Sequence, residues 1–157
     1  MKKLTVVLSL LLAFLTLPAQ DFSKLDEIGL IESEDYKSNE SRVLECADYI
    51  LSQPYKASEL NKLNCIQFII KWMEGTPDYM FNIGTDFIDF CGDDTELSTI
   101  YMASLAKAAI DKGFEDKSKE GLNINAREIF LDYCTVTQNK VKKNKTIKKA
   151  LKERSES

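Results

Sequence analysis

Histidine is absent from all 157 residues. Its absence removes Ser-His-Asp and Cys-His catalysis, His-ligated zinc and His-ligated haem, leaving carboxylate, cysteine, lysine, tyrosine or backbone chemistry. None of the four cysteines, Cys46, Cys65, Cys91 and Cys134, stands in a CxxC pair, so neither a thioredoxin-like motif nor a zinc knuckle is supported. No phosphate loop and no internal repeat occurs. No run alternates apolar and polar residues long enough to argue a strand.

What is present begins with an address. Residues 1–19, MKKLTVVLSLLLAFLTLPA, join a charged lead (Lys2, Lys3) to an apolar run from Leu4 to Leu17 closed by Pro18-Ala19. This is the pattern of a secretory signal peptide cleaved after Ala19; the run is short for a membrane span and no stop-transfer flank follows. The expectation is a periplasmic or secreted protein of roughly 138 residues, one domain able to bury a core without disulfide staples. In an oxidising compartment the cysteines would form one or two disulfides in any of three connectivities; as small buried apolar residues they would remain thiols. Spacing does not choose.

Charge is segregated. Of a whole-chain charge of −4, residues from Lys140 onward carry +6 and Lys2 with Lys3 carry +2, so residues 21–139 carry −12. An acidic body therefore precedes a basic tail. The tail could meet the acidic body itself, an anionic surface such as lipid phosphate, or nucleic acid; export and the lack of a stacking aromatic argue against the last. Its few apolar residues do not suit deep membrane insertion.

Helical periodicity runs through the rest, and the expectation is an all-α array of about five antiparallel helices. Residues 20–40 read as a flexible acidic lead, 41–139 as the helical domain and 140–157 as a basic tail with a short helix near Thr146 to Lys152. The first helix spans about Ser41 to Ser52, capped by Asn39 or Ser41. Leu60 to Glu74 carries two apolar stripes, one of Leu60, Leu63, Ile66, Ile70 and Met73, the other of Cys65, Phe68, Ile69 and Trp72, which predicts the central core helix with only Lys62, Asn64 and Lys71 exposed. Gly75-Thr76-Pro77-Asp78 reads as a helix stop and restart. A third helix then runs to Cys91 with Met80 and Ile83 inward, interrupted near Gly84. A fourth spans Glu96 to Lys112 behind Asp94 or Thr95, with alanines that permit close approach. After a loop over Phe114 to Asn123, a fifth begins at Ile124.

Candidate sites are few. Asp86, Asp89, Asp93, Asp94 and Glu96 gather near Gly92, but their spacing fails the helix-loop-helix calcium rule, and acids before a helix serve as caps. Asp86 and Asp89 would form a carboxylate pair, as glycan hydrolysis requires. Trp72 and Tyr79 would flank a cleft near Thr76-Pro77, with core packing the competing reading. Lys142, Lys143, Lys145, Lys148 and Lys149 form the basic interaction candidate, with a solvated face as the alternative. No cofactor or metal is implied.

The segments CIQFIIKWMEGTPDYMFNIG, YMASLAKAAI and LDYCTVTQNKVKKNKTIKKALKE resemble a group of small secreted helical bacterial proteins without assigned function. The layout of signal peptide, short helices and scattered cysteines is also similar to that of periplasmic immunity proteins that block cell-wall amidases. The resemblance carries over no catalytic residue. The resulting expectation is a non-enzymatic binding protein, inhibitor-like or immunity-like, whose acidic surface meets another protein. The alternative is a carboxylate-dependent hydrolase of cell-envelope or extracellular glycans.

Overall fold

Alanine decides where the centre of the molecule lies. In the computed structural model, which describes residues 21–156, helix α5 (Thr95–Ile110) runs through the middle of the fold. Ala103, Ala106, Ala108 and Ala109 are all fully buried, and their small side chains let neighbouring helices approach from several sides. Around α5 stand α2 (Glu40–Ser52), α3 (Leu60–Gly75), α4 (Thr85–Cys91) and α6 (Lys119–Thr135). Short α1 (Ser33–Ser38) and C-terminal α7 (Lys145–Glu156) complete seven α-helices, with 3-10 turns at Leu25–Glu27 and Thr137–Asn139 and no strand among the described residues. The fold is all-α. The signal peptide read at residues 1–19 lies outside the described residues.

The helix expected at the core, α3, is a flanking helix. Only its stripe of Cys65, Phe68, Ile69 and Trp72 is buried, while Leu60, Leu63 and Ile70 keep 70, 51 and 37% of their surface. Lys62, expected in solvent, is 4% exposed because its ammonium reaches Glu96 on α5 at 2.5 Å. Two apolar stripes thus did not mean two buried faces, since α5 can be surrounded and the bulkier α3 cannot.

Residues 21–39 are not a loose lead. Phe22, Leu25 and Leu30 are buried. The Phe22 ring lies 4.9 Å from that of Tyr49 with the Arg42 guanidinium 5.1 Å from its centroid, while the side chains of Arg42, Asn64 and Lys71 donate to the carbonyls of Asp21, Phe22 and Ile28. A polar, aperiodic segment is held because the body satisfies its backbone and a few apolar anchors reach the core. Asp35 accepts from the Ile31 and Glu32 amides, which starts α1.

The turn after α3 works differently from its sequence reading. Gly75, expected as a left-handed stop, is the last residue of the helix and has no positive φ, and Thr76 after it is extended. Gly75 instead leaves room for Tyr36: a Cβ there would lie 2.1 Å from the tyrosine hydroxyl, and the ring would have to move. Residues 77–84 are irregular, wrapping Tyr79 and Phe81 around Trp72 at 5.6 and 5.8 Å, so helix resumes only at Thr85. Met80 and Ile83, expected inward, are 70 and 55% exposed. Gly92, at φ +50°, reverses the chain after α4.

Asp94 then caps α5, accepting from the Glu96 and Leu97 amides at 3.1 Å and from the Tyr55 hydroxyl. Burial pushes this carboxyl up, but the Tyr55 bond and the two amides outweigh it and hold the acid below its ordinary 3.8. Because the folded value is the lower one, the contribution is complete above pH 3.8 and disappears as pH falls through the folded value. Asp94→Ala is expected to cost about 1–2 kcal/mol at pH 7, read by urea unfolding, with the gap to wild type closing in acid.

Candidate functional site

Ser118 starts α6 by accepting from the Gly121 amide at 3.1 Å, five residues before the helix expected from sequence. The early start puts Lys119, Asn123 and Arg127 in one row and Glu120, Ile124 and Glu128 in the next, since residues four apart share a helix face. Opposite these rows lie the 82–84 loop and the first turn of α4. Two adjoining hollows of about 400 and 550 Å³ open there, sharing Asn82, Asp86 and Asn123 as walls.

Arg127 lines the smaller hollow. Its guanidinium carbon sits 5.9 Å from the Phe90 ring centroid, and its Nε is 4.0 Å from an Asp86 carboxylate oxygen. That Nε is buried and has no hydrogen-bond partner. Tyr101, reaching from α5, lines the larger hollow; only 1% of its surface is exposed, and its hydroxyl has no protein hydrogen-bond partner among the described residues. Burial pushes that phenol up, the Asp86 charge adds to the effect, and the Arg127 charge opposes it, so the hydroxyl stays protonated as a donor. Phe87 holds the tyrosine edge-on at 5.6 Å, and Phe90 stacks on Phe130 at 5.4 Å below.

Around these polar groups stand three exposed isoleucines, Ile83, Ile88 and Ile124, at 55, 62 and 55%. The arrangement offers hydrogen-bond donors from Arg127 and Tyr101, amides from Asn82 and Asn123, and an apolar margin. Such a combination is suited to recognition, because Tyr and Arg inside an apolar border are the side chains that dominate protein interfaces.

The residues singled out from sequence are dispersed. Trp72 is wholly buried and donates its indole N–H to the Tyr36 carbonyl at 3.0 Å, so it has no surface to offer a partner. Tyr79 is half-buried and donates to Glu40 at 3.1 Å. Within the carboxylate group Asp94 is a cap, Glu96 pairs with Lys62 and Asp86 faces Arg127, while Asp89 and Asp93 are exposed. Among the described residues no group of three or more His, Cys, Asp or Glu side chains is placed to hold a metal ion.

The basic tail docks on the body. Asn144 accepts from the Ile147 amide at 2.9 Å and donates to the Phe90 carbonyl at 2.8 Å, fixing the start of α7 against α4. Ile147 and Ala150 are buried, and Arg154 pairs with Glu128 and Asp132 on α6 at 3.2 and 2.6 Å. Lys142, Lys145, Lys148 and Lys149 remain exposed and Lys143 is half-buried. A helix expected only from Ile124 hides the Lys119-Asn123-Arg127 row, while Tyr101 on α5 and Asn82 in the 77–84 segment carry no local mark of the site.

No protein family, curated protein or solved structure matches this chain. No helix among the described residues is long and apolar enough to cross a membrane.

Proposed function

We propose that this protein is an exported, non-enzymatic binding protein that docks another protein on the face around Arg127. One observation carries the reading: three exposed isoleucines border two hollows, one lined by the half-exposed Arg127, whose buried Nε has no hydrogen-bond partner, the other by the buried Tyr101, whose hydroxyl has none among the described residues. Isolated exposed apolar residues are ordinary, but isoleucines lining two adjoining hollows that also hold unpaired polar donors have the anatomy of an interface. The partner would cover the isoleucines with apolar side chains and present backbone carbonyls or a carboxylate to Arg127 and Tyr101. The export signal read at residues 1–19 places that meeting in the periplasm or outside the cell.

Ile124→Asp and Arg127→Ala test the reading. After chemical crosslinking in the envelope fraction of its own cell, wild type is expected to retain a defined partner. Each variant should bind that purified partner roughly 30-fold more weakly, as loss of an interface hot spot worth about 2 kcal/mol requires. Unchanged affinity in both folded variants would place the interface elsewhere. Thermal stabilisation by an oligosaccharide with no protein partner would favour the carboxylate hydrolase instead.

A further inference from the structure

Helices α2 and α3 run antiparallel. Tyr49 near the end of α2 donates to Glu59 at the start of α3 at 2.6 Å, and Trp72 near the end of α3 donates to the Tyr36 carbonyl just before α2. Along this hairpin Cys46 stands six residues before Ser52 and Cys65 five after Leu60. At about 1.5 Å rise per residue these are heights of about 9 and about 7.5 Å above the connection, so the two cysteines lie level. Both are fully buried on the faces where the helices pack, and the two free thiols stand close enough for Cys46 to shift the Cys65 thiol.

We propose that Cys46 and Cys65, free thiols in this structure, join as a disulfide on oxidation, and that neither pairs with Cys91 or Cys134. The latter two lie elsewhere, Cys91 next to Phe90 and Cys134 one turn after Phe130 in the ring stack that joins α4 to α6, and the groups facing the Cys91 thiol include Ser98 and Cys134. The groups facing the Cys46-Cys65 pair are Arg42, one turn before Cys46, and Tyr49.

The reaction is thiol-disulfide exchange with a small-molecule disulfide such as glutathione disulfide. A Cys46 or Cys65 thiolate attacks the donor disulfide and expels one thiolate. The other cysteine then attacks the mixed disulfide and expels the second, so two protein S–H bonds become one S–S bond and the donor gains the two electrons and two protons. In the folded protein the neighbouring Cys46 sulfur, toward which Cys65 keeps its proton, and burial push the Cys65 thiol up, so exchange is fast only before the hairpin closes.

The test uses the full chain, unfolded in urea under reducing conditions and refolded by dilution into glutathione disulfide. Free thiols are then alkylated, and the protein is digested without reductant and read by mass spectrometry. The expected result is a linked peptide pair containing Cys46 and Cys65, with a Tm about 10 °C above the reduced form. The Cys91→Ser/Cys134→Ser variant should still lose two hydrogens on oxidation. A link from Cys46 or Cys65 to Cys91 or Cys134, or alkylation of both Cys46 and Cys65 after oxidative refolding, would overturn the assignment. The outcome does not depend on the interface at Arg127.

Discussion

Phe130→Ala is expected to lower the free energy of unfolding by about 4 kcal/mol, the upper range for truncating a large buried aromatic. Phe130 has no exposed surface; it stacks on Phe90 with centroids 5.4 Å apart and planes 10° from parallel, and it meets Tyr101 at 5.4 Å. These rings join α4, α5 and α6, so truncation opens a cavity where three elements meet and forfeits ring-ring attraction besides. A domain of this size has about 5–15 kcal/mol in hand, and the variant would be left marginal. Urea unfolding followed by far-UV circular dichroism measures the loss. Phe130→Leu, which retains most of the volume, should cost less than half as much. A loss below about 1.5 kcal/mol for the alanine variant would mean that the rings do not hold the three helices together.

Glu96→Gln should rank second, costing about 3 kcal/mol. Lys62 leaves only 5% of its side chain in solvent, and its ammonium sits 2.5 Å from the Glu96 carboxylate, which is itself 31% exposed. Removing the carboxylate strands a positive charge under α3 with a neutral amide for company, and partial access of water from the Glu96 side keeps the cost at the low end. Replacing both residues, as Lys62→Met with Glu96→Leu, removes the desolvation burden together with the bond. That double variant is expected to come within about 1 kcal/mol of wild type or exceed it. Additive losses in the double-variant cycle would show that the two groups act separately.

The helical class and most helix positions were legible because 3.6-residue periodicity is a local property of the chain. Asp94 as a cap, Gly92 as a reversal and the stop near Gly75 could be read from residue type alone. What could not be read depends on which helix is surrounded. The stripe of Leu60, Leu63 and Ile70 looked as apolar as that of Cys65, Phe68 and Ile69, and only the position of α5 separates them. Lys62 went astray for the same reason, since its partner Glu96 stands 34 positions away. The lead from Asp21 to Asn39 has little periodicity, and what holds it is backbone bonding from Arg42, Asn64 and Lys71, side chains that carry no local mark of that task. The candidate site was hidden by a boundary. Starting the helix at Ile124 leaves out Lys119 and Asn123, whereas the Ser118 cap brings them into one row with Arg127, beside the exposed Ile124.

The buried Phe22 also bears on how the protein can be cut down. A fragment beginning at Ser41 would uncover the Tyr49 ring, remove the carbonyls that occupy Arg42, Asn64 and Lys71, and take away the carbonyl that receives the Trp72 indole. The smallest independent folding unit therefore begins upstream of Phe22, and the segment before Ser41 is a clasp across the α2–α3 hairpin rather than dispensable leader.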